Sequence, residues 1–403
     1  MPPAKLLARI PVPPGAAGPE YLLPALAAAL DGSGPPIAPV PTTSATTSDE
    51  YVTAILGAVR ADDPRLPLEE ASVAAVIPTS GSTGAPRGVM LTAAQLTSMS
   101  EAVNGIGQRP QWIVALPVTS IGGINVLVRS LAAERAPIVL PSIGGAAPFT
   151  TELFRTAVDA ANAISDDVRV SLVPAQVARL LASDQGIGAL RRCRQVLVGA
   201  APTRPSLLAM AEDLGIRLTT TYGATETAGG CVFDGRPLPG VRVEAVDGGV
   251  LVVHGPNVAV GYRCDPEATA LHFTGGAYRS PDIGSVSDDG SITIIGRADD
   301  VVIVNGVNVS PIAVERVIAD LPDVVSAAVV ADTSGSEPVL HAFIEARESA
   351  PDLESDALTG VEERLGRAAR PGRVWRVAAL PHLPNGKVDR RLLLEWARSG
   401  RTE

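Results

Sequence analysis

From residue 72 to residue 221 the chain alternates short runs of β-branched residues with longer amphipathic stretches, and no other feature narrows its fold so far. Residues 73–77, 112–116, 137–140, 168–173, 195–198 and 217–221 read as strands, and apolar residues recur at helical spacing between them. Thr92 and Gln95 make a capping box ahead of Leu96 and Met99, which marks one helix start. Strands separated by helices close through right-handed crossovers onto a largely parallel sheet. Ligands of such sheets collect at the carboxyl ends of the strands.

At one of those ends stands Thr-Ser-Gly-Ser-Thr-Gly-Ala-Pro-Arg-Gly-Val, residues 79–89. Gly81, Gly84 and Gly88 allow an anion to approach the main chain, and Ser80, Ser82 and Thr83 add hydroxyl donors. Arg87 adds a positive charge, so the run suits a polyphosphate. It is not a Walker A loop, because Pro86 follows Gly81 by five residues and no Lys-Ser or Lys-Thr pair comes after. No G-x-G-x-x-G is present, which excludes the dinucleotide fingerprint. By composition alone, an ordinary surface loop remains the alternative.

Two early segments, residues 21–30 and 49–60, read as helices, and the Pro-, Ser- and Thr-rich residues 31–48 between them as an extended surface connection. Near Gly240 the rhythm changes. Residues 241–246 and 250–253 flank Asp247-Gly248-Gly249 as a hairpin, and residues 291–295 form another short strand. Beyond Gly296 come a helix at 311–321, strands at 324–330 and 339–345, a helix at 353–369 and a last helix at 389–398. An α/β fold is expected, with parallel-rich sheets and helices, a small β subdomain, and a small α+β C-terminal domain. The boundary is placed at residues 297–300, giving a leading region 1–71, a core 72–239, a β-rich part 240–297 and a final domain 298–403.

A chain of 403 residues has ample core for two or three domains. Its formal charge of −10 argues against a nucleic-acid binder. Cys193, Cys231 and Cys264 are widely spaced, and His254, His272, His341 and His382 show no metal-ligand spacing. No apolar run reaches membrane-spanning length, and prolines break residues 1–15 before a signal core forms, so a cytoplasmic protein is expected.

Four further motifs line up behind the glycine-rich run. They are Thr-Tyr-Gly-Ala-Thr-Glu-Thr at 221–227, Tyr-Arg-Ser-Pro-Asp at 278–282, Gly-Arg-Ala-Asp-Asp at 296–300 and Leu-Pro-Asn-Gly-Lys at 383–387. In this order the chain resembles the adenylate-forming superfamily of acyl-CoA synthetases, luciferases and peptide-synthetase adenylation domains. The resemblance spans residues 79–387 and implies an AMP-forming acid–CoA ligase using ATP, Mg²⁺ and CoA, with a mobile C-terminal lid. It assigns Thr79, Ser80, Gly81, Ser82, Thr83, Gly84 and Arg87 to the phosphates and Tyr222 and Gly223 to adenine. Thr225 becomes a phosphate contact, Asp282 holds the ribose, Arg297 is a second ribose or phosphate contact, and Glu226 carries Mg²⁺. Lys387 is the catalytic cation: attack of a carboxylate on ATP builds negative charge, which preorganised cations must meet. Taken alone, Glu226 would be an exposed strand-end glutamate, Arg297 a surface arginine beside Asp299 and Asp300, and Lys387 a solvated lysine. Asp299 matches the hinge. Gly306 matches the loop that lines the pantetheine channel after the lid rotates, although Asn305-Gly306 is equally a good turn.

The early position of the phosphate loop resembles the compact o-succinylbenzoate–CoA ligases of menaquinone biosynthesis, particularly the actinobacterial type. That resemblance places Ser120, Gly122, Arg129 and Gly199 on the acid and assigns Arg129 to a second carboxylate; a salt bridge from Arg129 to Glu134 is the alternative. The family's aromatic or histidine pair is Thr119-Ser120 here, and Ser280-Pro281 stands before Asp282 in place of Thr-Gly. A ligase for another aromatic or dicarboxylic acid, an enzyme loading a carrier protein, and a catalytically reduced binding paralogue therefore stay open. Short ligases of this kind are often homodimers, and neither membrane insertion nor nucleic acid is expected.

Overall fold

The computed structural model describes residues 6–79, 86–298, 300–335, 337–346, 352–383 and 387–400. A seven-stranded sheet carries the expected rhythm. Its five parallel strands run in the order Leu218–Ala224, Gln195–Val198, Val168–Leu172, Gln111–Val114 and Ile138–Val139. Gly229–Phe233 and Arg236–Pro237 extend it antiparallel beyond Leu218–Ala224. The three central strands are buried on both faces, as parallel strands under helices must be. Trp112, Phe154 and the helix Ile121–Ala132 anchor the largest core.

Val73–Pro78 does not join this sheet. It belongs to a separate five-stranded sheet ordered Ala8–Val12, Ile37–Pro41, Val73–Pro78, Gly88–Thr92 and Gly261–Tyr262. The glycine-rich run thus bridges two antiparallel strands, Val73–Pro78 and Gly88–Thr92, rather than a strand and a helix. The capping box of Thr92 and Gln95 then opens a helix, with both reciprocal hydrogen bonds in place.

Residues 31–48 are not wholly a surface connection, because Ile37–Pro41 is a mostly buried strand parallel to Ala8–Val12. Its prolines disguise it. Thr42 N–H donates to the Val12 carbonyl, so residues 38, 40 and 42 face that neighbour and Pro39 and Pro41 face Val73–Pro78. Lacking N–H donors on that side, the strand pairs there only at Ile37 with Ala75.

The central part is the expected hairpin, Arg242–Val246 with Val250–His254, enlarged by the ten-residue strand Ala277–Val286. That strand also pairs with Ile292–Arg297. Pro281 is tolerated inside it because its register against Val250–His254 slips between Val250 and Val252, leaving Pro281 at an irregularity.

The small C-terminal domain has the helix Pro311–Ala319 and the sheet Val324–Asp332, Val339–Ala346 and Arg373–Val377, with separate hydrophobic cores. The helix expected over 353–369 stops at Leu365, where Gly366 turns the backbone to φ 85°. A strand missing from the sequence reading, Arg373–Val377, follows and pairs parallel with Val339–Ala346. Among the described residues no helix is long and apolar enough to cross a membrane.

Candidate active site

Three elements converge where Leu218–Ala224 ends. That strand carries Tyr222 and runs into a one-turn 3₁₀ helix, Thr225–Thr227, which presents Glu226. Asn257, fully buried, donates Nδ2 to the Thr227 carbonyl at 2.9 Å and pins the turn. Gly223 is fixed by packing: a Cβ there would run into the Gly229 carbonyl across the sheet. Gly199, at the end of the adjacent strand, likewise lies against the Thr221 hydroxyl.

Asp282 faces this turn from the central sheet. Its Oδ2 accepts from Tyr222 Oη at 2.8 Å and Ser280 Oγ at 2.9 Å. Arg297, its register partner on the next strand, places Nη1 3.7 Å from Asp282 Oδ1. Arg297 also has Nε 3.7 Å from Asp300 Oδ2. The Ser-Pro-Asp variant therefore keeps its hydroxyl donor and gives Asp282 a full set of orienting partners. Burial, then the nearby Asp282 charge, drive the Tyr222 hydroxyl well above its ordinary pKa, so it stays a donor.

Glu226 is 9% exposed, and its Oε1 accepts from Tyr262 Oη at 2.9 Å. Tyr262 was not singled out from the sequence. The signal was there in Gly261-Tyr262, an aromatic residue in a chain with only 3% aromatics. It stacks edge-on to Phe273, with ring centroids 5.3 Å apart, and Arg87 lies over its ring at 5.3 Å. Arg87 in turn pairs with Asp265 at 3.3 Å, and its N–H donates to Thr79 Oγ1 at 3.0 Å. A chain of contacts thus runs from the base of the glycine-rich run to Glu226. Ser80, Gly81, Ser82, Thr83 and Gly84 lie outside the described residues, as does Asp299.

Lys387 arrives from the C-terminal domain. The Leu383 N–H donates to the Lys387 carbonyl at 2.7 Å, and Asp389 N–H to Pro381 at 2.8 Å, holding both ends of its loop. Arg390, three residues on, bonds Glu315 and the Val329 carbonyl, each at 2.6 Å. Lys387 is an exposed residue of the C-terminal domain whose ammonium feels charges of the N-terminal domain. Burial lowers its pKa, the carboxylates of Glu226 and Asp282 oppose that, and the Arg297 charge reinforces it. These four residues, drawn from both domains, share one electrostatic site.

Glu226 suits Mg²⁺, which is commonly held by one or two carboxylates together with substrate phosphates. Among the described residues no cluster of three or more metal-ligating side chains exists, so Glu226 and the nucleotide would share the ion. Thr225, half-buried, precedes Glu226 on the same turn.

The residues assigned to the acid are not all together. Ser120 caps the helix Ile121–Ala132 at the carboxyl edge of the sheet, with Oγ donating to the Pro117 carbonyl at 2.8 Å. Gly122 stands in the first turn against Leu116. Arg129 lies nine residues beyond Ser120, about two and a half turns or roughly 13.5 Å at 1.5 Å per residue. Its guanidinium sits 5.4 Å from the Trp112 ring, and Trp112 pairs with Arg169 at the amino-terminal edge of the sheet. Arg129 is 5% exposed, and burial, aided by the Arg169 charge, pushes its pKa down to about 10. Glu134 pairs with Arg109 instead, so the salt bridge considered for Arg129 is not formed. Gly306 occupies the Asn305-Gly306 turn between Val302–Val304 and Val307–Val309, with φ 50° and 78°. Open space surrounds it, so the turn itself requires the glycine.

A family model described as AMP-binding enzyme matches residues 27–263, and one described as AMP-binding enzyme C-terminal domain matches residues 313–387. The chain is 36% identical over 392 residues to a Mycobacterium tuberculosis protein named "Probable 2-succinylbenzoate–CoA ligase", covering 95% of this chain and 96% of the relative. It is 31% identical to a Geobacillus kaustophilus 2-succinylbenzoate–CoA ligase, over 81% of this chain and 69% of that protein. The amide bond synthetase McbA from Marinactinospora thermotolerans shares the fold with a TM-score of 0.79 at 22% identity, over 98% of this chain and 90% of McbA. The MenE o-succinylbenzoate CoA synthetase from Bacillus subtilis, solved with its acyl-adenylate, shares it with a TM-score of 0.74 at 20% identity, over 96% and 88%. By its motifs, its fold and these matches, the chain belongs to the AMP-binding enzyme family, within the adenylate-forming superfamily.

Proposed function

We propose that this chain is an ATP-dependent o-succinylbenzoate–CoA ligase of menaquinone biosynthesis. In this reading the acid first attacks the α-phosphate of ATP, releasing pyrophosphate and forming an acyl-adenylate. The thiol of CoA then attacks the acyl carbon and AMP departs. The observation that carries it is the convergence of Lys387 with Glu226, Asp282 and Arg297.

Lys387 neutralises the charge that develops as carboxylate meets phosphate, without needing to rearrange at that moment. Asp282, oriented by Tyr222, Ser280 and Arg297, accepts from the ribose hydroxyls. Tyr222 stacks on adenine beside Gly223, and Thr225 donates to a phosphate. Glu226, steadied by Tyr262, holds Mg²⁺, which neutralises phosphate charge when bound. Thr79 and Arg87 close the base of the phosphate loop formed with Ser80, Gly81, Ser82, Thr83 and Gly84. The division of the chain at residues 297–298, the hinge at Asp299 and the later role of the Gly306 turn in the CoA channel belong to the same proposal. So do a cytoplasmic location and a homodimer.

The choice of acid rests on the relatives named 2-succinylbenzoate–CoA ligase. Ser120, Gly122 and Gly199 at the carboxyl edge are the proposed acyl-pocket residues, whereas Arg129 lies too far along its helix to share their position. Thr119-Ser120, whose hydroxyl is engaged with Pro117, favours one second reading: a ligase for another aromatic or dicarboxylic acid. Pyrophosphate exchange and CoA-thioester formation with a panel of such acids test the proposal. Strong turnover of o-succinylbenzoate alone is expected; a preference for another acid moves the assignment to the second reading.

A further inference from the structure

Arg204 stands at the N-cap of the helix Pro205–Asp213, at the end of the connection that begins with Gly199. Its side chain leaves the N-terminal domain altogether. Nη1 donates to the carbonyls of Ala319 and Val324, each at 2.7 Å, and Nη2 to that of Val325 at 3.1 Å. All three acceptors belong to the C-terminal domain. Ala319 is the last residue of the helix Pro311–Ala319, whose terminal carbonyls lack intrahelical donors and carry the negative end of its dipole. One guanidinium thus caps a helix in the opposite domain and ties down the strand that follows it. Burial lowers the Arg204 pKa while the Asp320 charge opposes that, so the contact is drawn partly out of solvent.

Arg316 crosses the interface in the other direction, donating Nη1 to the Ile294 and Ile295 carbonyls at 3.0 Å each. Those acceptors lie only a few residues before the pivot at 298–300. Arg316 therefore ties the C-terminal domain to the strand that leads into the pivot. Arg204 grips far from the pivot in sequence, and its contacts are made in the orientation that brings Lys387 to Glu226 and Asp282.

We propose that Arg204 is a positioning residue for adenylation: it latches the C-terminal domain in the orientation that delivers Lys387, and releases when the domain turns to thioester formation. This rests on the two-step reading above. It also ties the Gly199 connection, on the proposed acyl side, to the lid that supplies the cation.

The test compares Arg204→Met, which keeps the stem and removes the donors, with Arg204→Lys, which keeps a charged donor. In Arg204→Met, kcat for pyrophosphate exchange should fall about 10- to 100-fold, as expected for losing one or two charged hydrogen bonds. Thioester formation from a supplied acyl-adenylate should hold or rise, and Arg204→Lys should recover part of the exchange rate. The distance between spin labels on Ile106→Cys and Leu365→Cys, with Cys193 and Cys264 changed to Ser, should shift and broaden in Arg204→Met. Equal loss of both half-reactions with an unchanged label distance would overturn the latch, as would no change in either. A wild-type protein silent with every acid would count against the ligase reading, while the label distance would still decide the latch.

Discussion

Tyr222 Oη donates to Asp282 Oδ2 at 2.8 Å, which joins the motif expected at adenine to the motif expected at ribose. The two lie 60 residues apart in sequence on different sheets. Whatever orients one carboxylate oxygen therefore also fixes the tyrosine ring beside it.

Tyr222→Phe should weaken ATP binding by about 1–2 kcal/mol, since Ser280 and Arg297 still orient Asp282. Calorimetry with ATP reads this directly. Asp282→Ala should cost more, because it removes the acceptor and strands the buried Tyr222 hydroxyl. Equal effects of the two changes would contradict the arrangement.

Tyr262→Phe removes the donor that steadies Glu226 Oε1 while keeping the ring under Arg87. The Mg²⁺ concentration needed for half-maximal ATP binding should rise several-fold. Titration of Mn²⁺ followed by electron paramagnetic resonance should show the same weakening, independently of turnover. Unchanged metal dependence would separate Tyr262 from Glu226.

The lysine sets a pH limit. Adenylation needs the charged form of Lys387, and burial lowers its pKa from the ordinary 10.5. The exchange rate should therefore decline as pH rises through that depressed value, below where an exposed lysine would titrate. Asp282→Asn removes a carboxylate that raises the pKa, so the decline should begin at lower pH. Arg297→Met removes a repelling cation and should move it to higher pH. Opposite shifts would show that Lys387 does not feel these groups.

Gly223→Ala forces a Cβ against the Gly229 carbonyl, with backbone on both sides. Stability should drop by about 1–3 kcal/mol, the usual range for overpacking, and ATP affinity should fall with it. Thermal unfolding with and without nucleotide separates the two effects.

The parallel sheet was legible because its strands are short β-branched runs between periodic helices, a pattern set by burial on both faces. Ile37–Pro41 was hidden because its prolines report missing donors, and only the register shows that those donors are missing from one side alone. Arg373–Val377 was missed for a related reason: its two faces pack into different cores, Val374 on one and Trp375 and Val377 on the other, and Arg373 and Arg376 break the apolar run. The site motifs could be read as words, and that resemblance is what singled out Glu226, Asp282, Arg297 and Lys387, which the structure brings near one another. Tyr262 and Arg204 were not singled out, since each acts through a contact between distant segments that no local pattern encodes. The Arg129 assignment came from resemblance, which carries no distances, and a helix rising 1.5 Å per residue sets Arg129 apart from Ser120.

The division of labour between the domains is tested most directly by Lys387→Ala, measured in each half-reaction. Pyrophosphate exchange should fall by about 10²–10³-fold or more, the scale for losing a preorganised charge at the transition state. Conversion of a supplied acyl-adenylate and CoA to the thioester should proceed at the wild-type rate. Equal loss of both half-reactions, or retention of exchange, would contradict the role assigned to Lys387.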